Sequence, residues 1–383
     1  MLIPLSNEPR DYSWGSATLI PALEGREPAG APEAEVWFGD HPGDPSVVED
    51  GTGRTLDTLL ASRGDAPLPY LLKVLAAAST LSIQAHPSKS QALEGFAREE
   101  AAGIARDAAE RTYRDDNHKP EIIVALSDVF RALVGLRPLA QTRRLVAALG
   151  DRPGPAALAS RLDGDDEPAV LRETLAWVLS GHAQAEVDDI AAALVDAGDA
   201  EFADELAVLR RIAADFPGDP GIVVALLMNL VQLRRGEAVF APAGVLHAYQ
   251  DGLGVELMAA SDNVLRGGLT PKHVDVPELL RIVDTTPAIT PLVRPQQTDG
   301  VEVFDVGVAD FRLTRLTARA GQPHTLPVTG PTIALATAGR VDVSAGAVSH
   351  TLTPGQAVFA TADEPTVHVT GTGELFVAQP GHR

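Results

Sequence analysis

The chain has 383 residues, a formal net charge of -21 and no cysteine. Disulfides and thiolate metal sites are therefore excluded, and so much negative charge argues against nucleic acid or an anionic membrane as a partner. A hydrophobic content of 45%, with no apolar run near the ~18–20 residues that cross a bilayer, fits a globular chain of two or three domains. Met1-Leu2-Ile3-Pro4-Leu5-Ser6-Asn7 lacks a basic start and a long apolar stretch, so no signal peptide and a cytoplasmic location are expected.

The N-terminal stretch to about Pro87 is rich in Gly, Pro and short apolar runs. Val36-Trp37-Phe38, Pro69 to Leu75 and Leu81-Ser82-Ile83 read as strands, with Lys73 the one charge in the second. Ser88 followed by Gln91 has the spacing of a capping box and starts a predicted helix to about Ala109. Glu121 to Leu126 returns to strand. From Gln141 to Asp215 apolar residues recur at three- and four-residue spacing, as at Leu171, Leu175 and Val178. This predicts an all-helical unit, broken at Gly150–Gly154, Gly181-His182 and Gly198-Asp199. A further helix is predicted over Ile222–Leu233, then a tight return to strand at Gly236.

The last hundred residues alternate and turn often, as in Val301 to Val306 and Gly339 to Val343, the pattern of a β-sandwich or jelly roll. Gly236-Glu237-Ala238-Val239-Phe240-Ala241-Pro242 is echoed by Gly355-Gln356-Ala357-Val358-Phe359-Ala360-Thr361. The first copy runs on to His247, the second to Thr366. Two related β domains follow, of which only the first keeps a histidine at this position, the candidate metal ligand. The expected architecture is mainly β with a helical insert: two jelly-roll domains plus an all-α domain. The boundaries are 1–140 and 222–290 for the two parts of the first β domain, 141–221 for the insert and 291–383 for the second β domain.

Three separated segments carry the chemistry: Ser82-Ile83-Gln84-Ala85-His86-Pro87, Asn117-His118-Lys119-Pro120-Glu121 and Pro242 to His247. On a strand, Gln84 and His86 point to one face. With Glu121 and His247 they make two imidazoles, a carboxylate and an amide oxygen, a donor set that suits Zn²⁺ with room for water or substrate. Only four of the 31 basic residues are lysines (Lys73, Lys89, Lys119 and Lys272), all in or beside these segments. That points to sites where a compact ammonium is needed.

Gly236, then Pro242-x-Gly244-x-x-His247, resembles the second cupin motif, which implies that the two jelly-roll domains are cupin-like. Tyr70 to Ala78 with Leu81 to Pro87, Asp115 to Glu121, and Ser261-Asp262-Asn263-Val264-Leu265-Arg266-Gly267-Gly268-Leu269-Thr270-Pro271-Lys272 resemble the type I phosphomannose isomerases in order and spacing. The resemblance covers nearly the whole chain, the insert and C-terminal domain matching only in kind. It implies a zinc-dependent interconversion of mannose 6-phosphate and fructose 6-phosphate, with one Zn²⁺ per chain on Gln84, His86, Glu121 and His247. It also implies an active-site arginine at Arg266 and lysines at Lys119, Lys73 and Lys272. Ser82, Tyr249, Glu256 and Asp262 match further pocket positions, and Trp14 is grouped with the substrate-binding set. Ala85 stands where the family usually has valine.

Moving a proton between C1 and C2 of an open-chain sugar phosphate builds negative charge on oxygen, which a cation stabilises. One carboxylate among three neutral ligands leaves a Zn²⁺ site positive, the sign such an enediolate needs. His118, Lys119, Asp262 and Glu256 are the candidate proton carriers. Arg266 is assigned an electrostatic role, with Lys272 and Lys73 nearer the phosphate. A sugar-phosphate sensor and a metal oxygenase are the competing classes; the first should have lost Arg266 or a ligand, the second should show more histidines. His41, His182, His273, His324, His350, His368 and His382 read as surface groups or neighbours of the site. No nucleic-acid or membrane partner is expected, and the chain should be a monomer or weak homo-oligomer.

Overall fold

The structure, a computed structural model, describes residues 1–290 and 292–381; His382 lies outside them. Among these residues the strands form two sheets. The first centres on the long strand His247–Ala259, which pairs along its second half with Tyr70–Ala77 and Glu121–Ala125 and along its first with Val129–Leu136 and Ile83–Ala85. Glu35–Phe38, Ala238–Ala241, Met228–Arg234 and Leu265–Gly268 complete it. A bulge between Tyr249 and Asp251 interrupts the long strand. A one-residue shift exchanges the faces of every following side chain. His247 and Tyr249 before it, and Glu256 after it, consequently line the same cavity.

The second sheet runs through Thr332–Ala345 and Thr366–Gln379. The N-terminal strand Leu2–Ser6 belongs to it, pairing with Ala357–Ala360. The two sheets share one apolar core, in which Leu72, Val74, Ile122, Val255 and Leu257 of the first meet Ile3, Phe304, Ile333, Leu335, Phe359 and Phe376 of the second. Each of these side chains contributes about 1.5–3 kcal/mol by leaving water. Tyr70, fully buried, donates its hydroxyl to the carbonyls of Pro331 and Ala378 across the junction.

The sequence echo is structural. Gly236 and Gly355 sit at φ +85° and +88°. The Gly236 amide donates to Ala125 and the Ala125 amide to Glu237; the Gly355 amide donates to Ala336 and the Ala336 amide to Gln356. Ala241 lies opposite Glu121 in one copy, and Ala360 opposite Thr332 in the other. His247 opens the long strand of the first copy, Thr366 that of the second. The second copy thus carries threonine at both positions where the first carries a candidate ligand.

Helices Leu139–Ala147, Pro153–Arg161, Glu167–Leu179, Gln184–Asp196 and Ala203–Asp215 form the insert. Their apolar faces make one core with Ile83, Leu133, Ala248 and Leu265 of the first sheet. Three local expectations are corrected. The helix after Ser88 has its capping box, Ser88 Oγ accepting from the Gln91 amide and Gln91 Oε1 from the Ser88 amide, but runs Lys89–Ala101 and not to Ala109. Gly103 takes φ +72°, and Arg111 pins the following loop by donating to the carbonyls of Ile104 and Tyr113. The predicted helix Ile222–Leu233 is a helix only over Gly221–Leu227, and Met228–Arg234 is a strand. There Val231 and Leu233 are buried while Gln232 and Arg234 are exposed, a period of two that pairing with Val129–Leu136 imposes. Finally, the strand expected at Leu81-Ser82-Ile83 is Ile83–Ala85. No helix among the described residues is long and apolar enough to cross a membrane.

Candidate metal centre and substrate cavity

A cavity of about 500 Å³ opens beside the strand His247–Ala259. At its base His86, Glu121 and His247 bring one ligand atom each to within 4.8 Å of one another. The long strand starts this convergence, since His247 lies opposite Gln84 on one neighbour and Met258 opposite Glu121 on another. His247 Nε2 is 3.1 Å from Glu121 Oε2, and His86 Nε2 is 3.4 Å from Glu121 Oε1. Lys119 Nζ reaches the same Oε1 at 2.9 Å.

These side chains fit a divalent cation. His86 Nδ1 lies 2.7 Å from the carbonyl of Asn263. An N–H at that position donates to the carbonyl and leaves the lone pair on Nε2. His86 is fully buried, and its Nε2 has no hydrogen-bond partner among the described residues. An orphaned buried imidazole nitrogen aimed at a carboxylate and a second imidazole is what a ligand to an ion leaves behind. Burial pushes the His86 pKa down to about 4, with nearby Lys119 and His247 acting in the same direction against Glu121. The ring is therefore neutral near pH 7, as coordination requires. Burial disfavours the Glu121 carboxylate, but Lys119, His86 and His247 overcome this and hold its pKa well below the usual range. Gln84 donates its Nε2 to Ser82 Oγ at 3.2 Å and lines the cavity.

The cavity wall gathers most of the residues singled out in the sequence. Trp14, Lys73, Ser82, Gln84, Lys119, Glu121, His247, Tyr249, Glu256, Arg266 and Lys272 all line it. Lys73 lies opposite Glu256 in the sheet and bridges Glu256 (3.1 Å) and Glu35 (3.5 Å), with the Trp37 ring 5.1 Å away. Burial works against the Lys73 ammonium, yet Glu256, Glu35 and Glu121 raise its pKa above the usual lysine value. Burial raises the Glu256 pKa; Lys73 opposes this, while Glu121 and Glu35 add to it. Burial, then Glu256 and Glu121, drive the Tyr249 pKa well up. Arg266 and Lys272 have no carboxylate partner among the described residues. Burial first, then Arg114, lowers the Arg266 pKa; burial, Arg266 and Arg114 lower that of Lys272. A pair of unneutralised cations in a chain of net charge -21 is suited to an anion.

His118 and Asp262 are not brought into the cavity. Lys119 reaches Glu121, whereas its neighbour His118 meets Asp310 at 2.7 Å. Asp262 pairs with His41 at 3.3 Å, an interaction that lowers its pKa against the effect of burial. Three of the four lysines line the cavity; Lys89 is exposed and donates to Asn117. Sequence reasoning missed Glu35, whose signal was a carboxylate beside the apolar run Val36-Trp37-Phe38. It also missed Phe216, which the end of the helix Ala203–Asp215 delivers to the cavity. Asn263, given no role by sequence reasoning, is fully buried: its Oδ1 accepts from the amides of Arg114 and Asp115, and its Nδ2 donates to the carbonyls of Asp115 and Asn117.

Paired jelly-roll sheets with a buried histidine–glutamate–histidine centre define a metal-binding protein of the cupin class. Residues 2–139 match the model of the type I phosphomannose isomerase catalytic domain. The chain is 36% identical to mannose-6-phosphate isomerase of Escherichia coli over 97% of both chains, and 31% identical to that of Bos taurus over 82% of each. A crystal structure of mannose 6-phosphate isomerase from Salmonella typhimurium, bound to substrate and a zinc atom, superposes with a TM-score of 0.89 at 33% identity, covering 100% of both chains. The chain belongs to the type I phosphomannose isomerase family.

Proposed function

We propose that the chain is a zinc-dependent aldose–ketose isomerase that interconverts D-mannose 6-phosphate and D-fructose 6-phosphate by proton transfer between C1 and C2. The observation that carries this reading is the meeting, in one cavity, of the His86–Glu121–His247 cluster with the unneutralised Arg266 and Lys272. Gln84 joins the two histidines and Glu121 as the fourth ligand. Zn²⁺, when bound there, supplies positive charge beside the oxygens on which the enediolate charge develops.

The chain's own residues do the rest. Arg266 stabilises developing negative charge, and its lack of a carboxylate partner leaves its charge available for that task. Lys272 and Lys73 hold the phosphate and the sugar; Ser82, Tyr249 and Trp14 line the remaining wall. Lys119 and Glu256 are the proton-carrier candidates that line the cavity. Substrate is a small sugar phosphate, a class the acidic surface admits because the local field is positive. Nucleic acid and membrane are not partners, the location is cytoplasmic, and the chain acts as a monomer or weak homo-oligomer.

The test is a comparison of substrates. Zinc-loaded protein should convert mannose 6-phosphate to fructose 6-phosphate and act far more slowly on unphosphorylated mannose. Equal rates on both sugars would remove the role assigned to Lys272 and Lys73.

A further inference from the structure

The segment that carries Arg266 to Lys272 is held from outside the sheet. Gly268 takes φ +120° and Leu269 φ +56°, the latter a left-handed conformation that a residue with a branched side chain rarely adopts. Such a backbone persists only where its surroundings enforce it. The enforcing group is Asp219, in the turn that closes the helical insert. Its Oδ1 accepts from the amides of Gly221 (2.7 Å) and Leu269 (2.9 Å), and its Oδ2 accepts from the amide of Thr270 (3.1 Å). The contact leaves no slack: a Cβ on Gly268 would lie 2.5 Å from Gly221 Cα, and one on Gly221 would lie 2.5 Å from the Leu269 nitrogen. Leu269, Thr270 and Lys272 all line the cavity, whereas Asp219 does not. The next amide is ordered in turn, Lys272 N–H donating to Thr270 Oγ1 at 3.1 Å.

We infer that Asp219 is a positioning residue for substrate binding: by fixing the Leu269 and Thr270 amides it holds Lys272 and the flanking backbone in the geometry that receives the phosphate. The helical insert thereby becomes part of the binding site, and the inference rests on the isomerase reading above. A carboxylate is required because three N–H donors converge on it, and hydrogen bonds to a charged acceptor are about twice as strong as neutral ones. The amides that Asp219 fixes in this segment belong to Leu269 and Thr270, beyond the residues paired with the Gln84 strand, so zinc content is the control that separates loss of this positioning from damage to the metal centre.

The experiment is steady-state kinetics on zinc-loaded wild type, Asp219→Ala and Asp219→Asn, with zinc content measured for each. Asp219→Ala should raise KM for mannose 6-phosphate about tenfold or more, with kcat within about threefold of wild type and zinc content unchanged. Asp219→Asn keeps the shape and one acceptor oxygen, and should fall between the two and fold even if the alanine variant does not. A merely structural residue would lower melting temperature and active fraction, hence apparent kcat, and leave KM alone. An active wild type with unchanged KM in the variants overturns this inference by itself. An inactive zinc-loaded wild type would overturn the isomerase reading and this inference together.

Discussion

Replacing Asn263 with alanine should both destabilise the protein and weaken its hold on zinc. The side chain is fully buried and ties Arg114, Asp115 and Asn117 to the strand-end segment that leads to Arg266. In Asn263→Ala the amides of Arg114 and Asp115 and the carbonyl of Asp115 lose the partner they have here. The carbonyl of Asn117 keeps the Ser261 hydroxyl at 3.2 Å. Three backbone groups at about 1 kcal/mol each, more for those that water does not reach, give a loss of about 3–5 kcal/mol. The freed loop leads directly into Lys119 and Glu121, and the main-chain carbonyl of residue 263 orients the His86 ring. Disturbing a group that orients a ligand typically costs 10–100-fold in metal affinity, so zinc affinity should fall by about tenfold or more. Urea unfolding of the zinc-free proteins measures the first effect without metal linkage, and competition with a chromophoric chelator measures the second. Asn263→Asp is the control for shape: it keeps Oδ1 but turns a second oxygen toward the Asp115 and Asn117 carbonyls, and should be no more stable than the alanine variant. Stability within about 1 kcal/mol of wild type together with unchanged zinc affinity would refute the reasoning.

Glu121→Gln removes the carboxylate that His86, His247 and Lys119 share, and elemental analysis should find the purified variant largely free of zinc. Lys73→Met leaves Glu35 and Glu256 buried without their cation, and should cost about 3–5 kcal/mol in urea unfolding at pH 7. Because the folded Lys73 pKa lies above the ordinary lysine value of 10.5, that contribution is fully present at pH 7 and fades only as pH rises beyond 10.5. Glu278 behaves in the opposite sense: burial disfavours its carboxylate, but Arg281, Tyr113 and Arg98 bring its pKa down to about 2 from 4.5. Its contribution is present above pH 4.5 and lost as pH falls toward 2. The difference in stability between wild type and Glu278→Gln should thus be about 1.5–3 kcal/mol at pH 6 and vanish near pH 2.

The His86–Glu121–His247 cluster was legible in the sequence because these residues sit in or beside short apolar strands where a polar side chain stands out. The repeat was legible because both copies need glycine at positive φ before the same Ala-Val-Phe-Ala strand. Other features depend on tertiary contacts that local pattern does not encode. Ile222–Leu233 reads as one apolar helix until pairing with Val129–Leu136 imposes the strand period on its second half. Leu2–Ser6 gives no sign in sequence that its partner is Ala357–Ala360, at the far end of the chain. His118 and Lys119 looked equally chemical, and only the opposite directions of neighbouring side chains separated them, one toward Asp310 and one toward Glu121. Asp219 gave no sign of its role because two of its three amide partners, Leu269 and Thr270, come from a distant part of the chain.

The most direct test of the central claim is the rate of fructose 6-phosphate formation from mannose 6-phosphate, measured on zinc-loaded protein, after chelation, after zinc is restored, and in zinc-loaded Arg266→Ala. The account predicts activity that disappears with the metal, returns with it, and is reduced by orders of magnitude in Arg266→Ala while zinc content stays at one per chain. Activity that survives complete removal of zinc, or an Arg266→Ala variant as fast as wild type, would contradict it.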